Sequence, residues 1–274
     1  MDLPNIVIIS TFKPLLPEFI VEHTNSLRSW KKLRCNPKIV IIGDDAGVEE
    51  FCKNENVLHH PFVNKNKYGT PLVSSILEEG WKYADDKDIV IFLNGDIILD
   101  DKLCDTIEAF VKEYPNYYEK TFLLTAIRQN WKNFDSVNFN ENDWFKNILS
   151  KTSPDSPTAI DLFVHRKGTI TGMPQSGIAK YAYDSWILLN AFEKFDIVVD
   201  ITETCKIIHH FGKWYQNKMV CDRNLMTREL IENARPINMI NHNLKKKINK
   251  SEVITDCPLY TKYENDTILF VNKS

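Results

Sequence analysis

The sequence lacks most of the features that would place a chain of this size quickly. Glycine is sparse, 9 among 274 residues, and neither G-x-x-x-x-G-K-S/T nor G-x-G-x-x-G occurs. Their absence excludes a P-loop and a dinucleotide-binding fingerprint after the first strand. No apolar run approaches the roughly 20 residues of a membrane span. The opening MDLPNIVIIST has neither the basic region nor the apolar core of a secretory signal, so no signal and a cytoplasmic location are expected. A net charge of -3 gives no global pull toward nucleic acid or anionic membrane, so any polyanionic ligand has to be held locally. The cysteines (Cys35, Cys52, Cys104, Cys205, Cys221 and Cys257) are scattered without a C-x-x-C pair. They are expected to be reduced thiols, neither a disulfide frame nor a zinc site. Sequons at Asn249, Asn265 and Asn272 lack a secretory route and read as chance. There is no internal repeat and no low-complexity tract. The lysine-rich NHNLKKKINK reads as a solvated face.

What is present is an alternation of buried-strand and helical patterns in a chain long enough for a sizeable core. NIVIIST, KIVIIG and IVIFL are short apolar, β-branched runs, with VLHHPFV a further candidate strand. Between them lie helix-like LPEFIVEHTNSLRSWKK, GVEEFCKNE and PLVSSILEEGWKYA, and DKLCDTIEAFVKEY follows the last. This order predicts an α/β fold with a parallel sheet covered on both faces. Beyond residue 120 the pattern turns mixed: FLLTAI, AIDLFVHR, IVVDIT and CKIIHH are strand-like, and YDSWILLNAFEKF is helical.

Ligands of open α/β sheets bind outside the carboxyl ends of the strands. Those ends carry Ser10-Thr11, Asp44-Asp45, Asn94-Gly95-Asp96 and Arg128, a polar and partly acidic set. A nucleotide diphosphate among carboxylates calls for a cation such as Mg²⁺ or Mn²⁺, which takes oxygen ligands from one or two carboxylates and from phosphate. In FLNGDIIL, Gly95 allows a tight bend and close ligand approach, Asp96 can ligate a metal, and Asn94 can hydrogen-bond a ribose or phosphate. The competing explanation is an ordinary turn, since N-G is a strong turn dipeptide.

Taken together and in order, KIVIIGDDAGVEE, NKYGTPLV, FLNGDIIL, AIDLFVHRKG, YDSWILLNA and VVDIT followed by IIHH resemble GT-A glycosyltransferases of the family-2-like, nucleotide-sugar type. The resemblance implies a Rossmann-like central mixed sheet flanked by helices. It implies a catalytic domain over residues 1–215, with a nucleotide-binding half at 1–100 and an acceptor half at 101–215. Residues 216–274 would be an extension packed on the same domain. Residue by residue, it implies that Ser10, Thr11 and Asp44 contact the nucleoside, with Asn66, Tyr68, Gly69 and Thr70 as the loop beside it. Asn94, Gly95, Asp96 and Arg128 would complete the donor site. Asp96 with His209 or His210 would hold Mn²⁺ or Mg²⁺, and Asp184 would be the base of an inverting transfer. The donor expected is a UDP-sugar, and the acceptor a hydroxyl of a glycan or another molecule. One departure from the D-x-D pattern stands out: the first carboxylate is Asn94, which weakens the metal expectation.

Each residue also has a plain structural reading. Asp184 could only cap its helix, and Asp161 could bind a sugar hydroxyl or make a structural hydrogen bond. Arg128 could grip diphosphate or a surface carboxylate. In strand geometry His209 and His210 point to opposite faces, so at most one is a ligand. Trp131, Trp144, Trp186, Trp214 and Tyr215 could wall a sugar pocket or fill the core. Two other functions stay open: an inactive glycan-binding or scaffold protein, and a sugar-1-phosphate nucleotidyltransferase. The glycine-free IISTFKPLLPEF after the first strand counts against the second.

Overall fold

The computed structural model describes residues 4–211 and 237–273, apart from Glu18, Phe134, Lys180, Tyr181 and Glu252. Trp214, Tyr215 and Cys221 lie outside the described residues.

Alternation of β-branched residues sets the frame. In β1 (Ile6–Ser10), Ile6 and Ile8 face one apolar layer while Val7 and Ile9 face the other. The strand is therefore covered on both sides, as a central parallel strand requires. It pairs in parallel with β2 (Lys38–Ile42) and β4 (Ile89–Leu93), and β2 pairs in parallel with β3 (Leu58–His60). The antiparallel strand β8 (Ile160–Arg166) is inserted between β4 and β6 (Phe122–Lys132), and β9 (Ile197–Asp200) runs parallel to β6. With β11 (Leu259–Glu264) and β12 (Thr267–Asn272), the sheet order is β12-β11-β9-β6-β8-β4-β1-β2-β3, so the central mixed sheet that the resemblance implies is found. The carboxyl ends of β1, β2, β4, β6 and β9 all open on one edge.

Helices α1 (Ile20–Lys31), α2 (Val48–Glu55) and α4 (Lys102–Glu113) cover one face; α3 (Val73–Gly80) and α6 (Tyr183–Lys194) cover the other. Each lies within the segment whose pattern predicts a helix. Less legible were α5 (Trp144–Leu149), a helix over 237–248, and the hairpin β11 (Leu259–Glu264) and β12 (Thr267–Asn272). That hairpin joins the same sheet through the pairing of β11 with β9. The short β5 (Ile97–Ile98) and β7 (Ser153–Pro154) lie off the main path, with β10 (Ile207–Phe211) pairing to β5 and β6. No helix among the described residues is long and apolar enough to cross a membrane.

One expectation is overturned. Cys35, just beyond α1, and Cys104, in the first turn of α4, form a disulfide across a sequence separation of 69. Packing of α1 and α4 on the same face brings them together, and no local spacing could have announced it. Cys52, Cys205 and Cys257 are free and buried. A closed loop of that length is worth about 4 kcal/mol in chain entropy. The Cys35→Ser/Cys104→Ser double variant should therefore lose about 2–4 kcal/mol of unfolding free energy in a denaturant titration; unchanged stability would show that the two thiols are not joined.

Candidate active site

Strand β4 leaves the sheet at Leu93 and the chain re-enters the core at Ile97, with Asn94, Gly95 and Asp96 between. Position 95 has no room for a side chain. A Cβ there would stand 2.5 Å from the Thr11 carbonyl oxygen and 2.6 Å from Phe12 Cδ1. The backbone beyond it is held by side chains of α1. His23 Nδ1 bonds the Gly95 carbonyl at 2.9 Å, Trp30 Nε1 donates to the Ile97 carbonyl at 2.7 Å, and Ser29 Oγ accepts from Leu99 N–H at 3.1 Å. Opposite, β10 runs antiparallel to β5, and His210 N–H donates to the Asp96 carbonyl at 2.9 Å.

Asn94 is used as an amide at both ends. Its Nδ2 donates to Asp161 Oδ1 at 2.8 Å, and its Oδ1 accepts from the Tyr183 hydroxyl at 2.9 Å. Asp161 is also gripped through Oδ2 by Arg128 Nη1 at 2.6 Å, while Arg128 Nε donates to Asp155 at 2.9 Å. A carboxylate at position 94 would face the Asp161 carboxylate at hydrogen-bond distance, and two such groups cannot both ionise cheaply. The amide is therefore demanded by its surroundings.

Asp96 points into a separate cluster. Its Oδ2 lies 3.4 Å from both Lys13 Nζ and His209 Nε2, and Lys13 Nζ also reaches Glu22 Oε1 at 3.4 Å. Burial works to raise the Asp96 carboxyl, but the neighbouring His209 and Lys13 outweigh it and hold the group well below the usual carboxylate range. Glu22 goes the other way: burial pushes it up to about 7 against the pull of Lys13. His23 is neutral. Lys13 N–H donates to its Nε2 at 3.3 Å, so Nδ1 carries the proton given to Gly95, and burial with Lys13 nearby lowers the ring to about 4. Asp96 Oδ1 is buried with no protein partner.

Asp184 sits in the first turn of α6, but the cap position belongs to Ala182 at φ 77. A non-glycine residue in that region is strained, and such strain clusters at functional sites. Burial, together with Asp161 and against the Ser185 N–H, pushes the Asp184 carboxyl up to about 7. The loop of residues 64–72 is fastened to the same approach: Val73 N–H bonds Ser176 O and Ile178 N–H bonds Pro71 O, both at 2.9 Å. Within the loop, Asn66 Oδ1 accepts from the N–H groups of Tyr68 and Thr70, and Gly69 takes φ +82.

Of the expected donor residues, Ser10 is buried and donates to the Leu93 carbonyl at 2.8 Å, a structural use. Thr11 Oγ1 is buried without a partner beside Gly43. Asp44 stands exposed on the rim, ion-paired with Lys65. The fork of Arg128 is committed to Asp155 and Asp161 rather than left open for a diphosphate. His210 turns away from Asp96, stacks on Trp131 with centroids 4.6 Å apart and bonds the Asn133 carbonyl, so it is a structural residue. Trp186 is buried on the inward face of α6 in the apolar layer, and Trp144 packs edge-on against Phe139 and Phe145. Lys13, Glu22 and His23 went unnoticed in the sequence. The signal was there, because Glu22, Ser26 and Ser29 recur at helical spacing on the side of α1 that also carries Leu27 and Trp30, and all are buried.

Asp96 and His209 are the side chains a divalent cation could use. Among the described residues, however, no cluster of three His, Cys, Asp or Glu could hold a metal ion. Asn94 is engaged at both ends, and the Lys13 ammonium already stands against Asp96 Oδ2. These residues do not fit the Mn²⁺ or Mg²⁺ that the resemblance implies. An open groove of about 370 Å³ lies elsewhere, at the carboxyl end of β9 beside Ile127 of β6, with Asp200, Thr202 and Lys206 among its walls and none of the clustered residues.

No protein-family model matches the sequence, and no curated protein matches it. Solved structures of TarS from S. aureus match over 89% of this chain. The fragment 1–349 in complex with UDP is 14% identical with a TM-score of 0.47 and 70% of that chain covered. The same fragment in complex with UDP-GlcNAc gives 12%, 0.47 and 71%. A longer TarS structure gives 15% and 0.48, and the present chain spans 43% of its length. The architecture of the present chain rests on its own sheet order.

The role of Asn94 has a pH signature. In Asn94→Asp, two facing carboxyls should share a proton at low pH and repel when both ionise. The variant should match the parent near pH 4 and fall behind it by about 1–3 kcal/mol at pH 8, measured by denaturant unfolding. A loss independent of pH would contradict the contact with Asp161.

Proposed function

We propose that the protein is a glycosyltransferase that moves a sugar from a nucleotide-diphosphate donor, a UDP-sugar, to a hydroxyl of a glycan or other acceptor with inversion. The observation that carries this reading is a carboxyl poised near neutrality, Asp184, in the helix turn that the Tyr183–Asn94 hydrogen bond ties to the end of β4. Asp184, at about 7, is matched to general-base work at physiological pH. The Asp96 and Lys13 cluster, at the ends of β1 and β4, lies where ligands of α/β sheets sit. The unpartnered Thr11 Oγ1 and Asp96 Oδ1 are buried polar atoms of the kind a bound ligand satisfies.

The chemistry follows from these groups. The acceptor hydroxyl gives its proton to the Asp184 carboxylate as its oxygen forms a bond to the anomeric carbon. The bond from that carbon to the diphosphate breaks, and its electron pair leaves on the diphosphate, which gains one negative charge. The Asn94, Asp161 and Arg128 network fixes Tyr183, and with it the first turn of α6 that carries Asp184.

The reading is tested by a thermal-shift screen against UDP-, GDP-, CMP- and dTDP-sugars, each with and without Mn²⁺. A donor at about 100 times its dissociation constant stabilises by about 2.7 kcal/mol. Stabilisation by one nucleotide class supports a donor site and names the base. No shift with any donor favours a glycan-binding or scaffold protein on this fold.

For Asp184, the base form is the ionised one, so kcat/KM should rise with pH through about 7. Asp184→Asn should keep donor affinity, lose that limb and lower turnover by about 10²–10⁴. Comparable turnover with an intact limb would remove Asp184 from the chemistry.

A further inference from the structure

Among the described residues of the Asp96 cluster, Lys13 is the most exposed to solvent. Its side chain is 32% exposed, against 2% for Glu22 and 11% for Asp96. The two carboxylates lie behind it, and the Phe19 ring, 5.3 Å from Nζ, flanks it. An anion arriving at the ends of β1 and β4 therefore meets the ammonium before either carboxylate. Its position is fixed by the fold. The Lys13 N–H is tied to His23 Nε2, and His23 is tied in turn to the turn that presents Asp96. Asp96 Oδ2, where a divalent cation would sit, is occupied by this ammonium at 3.4 Å.

We propose that Lys13 supplies the fixed positive charge that binds and neutralises the leaving diphosphate, so that donor binding by this protein needs no divalent cation. This rests on the glycosyltransferase reading above and deepens it. Asp96 and Glu22 orient the ammonium, acting as its counter-ions and not as metal ligands. Lysine serves here as a point charge, donating from its ammonium to phosphate oxygens. It stays protonated throughout, while the charge gained by the diphosphate is met by the ammonium already in place. Preorganised charge of this kind needs no rearrangement when the bond breaks.

The assignment makes a prediction of unusual sign. If Asp96 were a metal ligand, Asp96→Asn would weaken diphosphate binding. As the counter-ion of Lys13, its neutralisation removes a charge that competes for the ammonium and repels phosphate, so binding without metal should strengthen.

The experiment is calorimetric titration of the full chain with UDP, GDP, CDP and dTDP, in EDTA and in Mn²⁺, followed by the nucleoside of whichever binds. The expected results are binding in EDTA that Mn²⁺ changes less than about threefold, and a loss of about 10–100-fold in Lys13→Met, the size of one charge-assisted contact. Nucleoside binding should be unchanged in Lys13→Met, which also shows that the variant is folded, and Lys13→Arg should retain most diphosphate affinity. Asp96→Asn should bind the diphosphate in EDTA as tightly as the parent or more so. Binding that requires Mn²⁺ and is lost in Asp96→Asn overturns the role of Lys13 while leaving the glycosyltransferase reading in place. Failure of every diphosphate and nucleoside to bind the parent overturns both.

Discussion

The Asn94 side chain, held between the Tyr183 hydroxyl and the Asp161 carboxylate, is the contact on which the rest of the edge depends. It joins the end of β4 to the first turn of α6 and to β8, and through Arg128 to β6. Those elements come from sequence positions far apart, and without a shared polar centre their ends would be set only by apolar packing beneath them. An amide can donate to a carboxylate on one side and accept from a phenol on the other. A carboxylate could do only the second without repulsion. The same turn then presents Asp96 to a different neighbourhood, where the Lys13 ammonium and the His209 ring face it. Two polar residues separated by a glycine thus serve opposite purposes, one binding elements together and one orienting a charge.

Helix α1 makes this arrangement possible. Its inward face mixes Leu27 and Trp30 with Glu22, His23, Ser26 and Ser29, all buried. Burying so many polar groups is unfavourable unless each finds a partner. His23, Ser29 and Trp30 find theirs on the backbone of residues 95–99, where the chain leaves and rejoins the core and has carbonyls and amides to satisfy. Glu22 finds Lys13. The helix therefore pairs the β1–α1 loop with the β4–β5 turn, and their meeting point is the charge cluster. The disulfide between Cys35 and Cys104 ties the far end of the same helix to α4.

The strands and main helices were legible because their signal is local: β-branched runs flanked by helical periodicity need no partner to be recognised. Strand β8 was visible as AIDLFVHR, but its antiparallel insertion between β4 and β6 depends on pairing that no local pattern encodes. At the site, the opposite faces of His209 and His210 follow from strand geometry, and the structure separates them in that way. What sequence reasoning missed were groups whose meaning arises only across long separations. Lys13 and Asp96 are 83 residues apart, and the disulfide spans 69. Arg128 was expected at a strand end but lies within β6, which runs on to Lys132, and its two carboxylate partners, Asp155 and Asp161, come from other segments. The buried polar stripe of α1 is visible as helical spacing, but Leu27 and Trp30 on the same side give it the look of an ordinary apolar face.

The division of labour within Asn94-Gly95-Asp96 is tested most directly by a double-mutant cycle on Asn94 and Asp161, each replaced by alanine singly and together, with nucleoside diphosphate affinity measured on the same four proteins. The account predicts that the two substitutions couple by more than about 1 kcal/mol in stability while diphosphate affinity changes less than about threefold, because position 94 builds the edge and does not contact phosphate. Additive stabilities together with a large loss of diphosphate affinity in Asn94→Ala would contradict it, and would return Asn94 to the donor site.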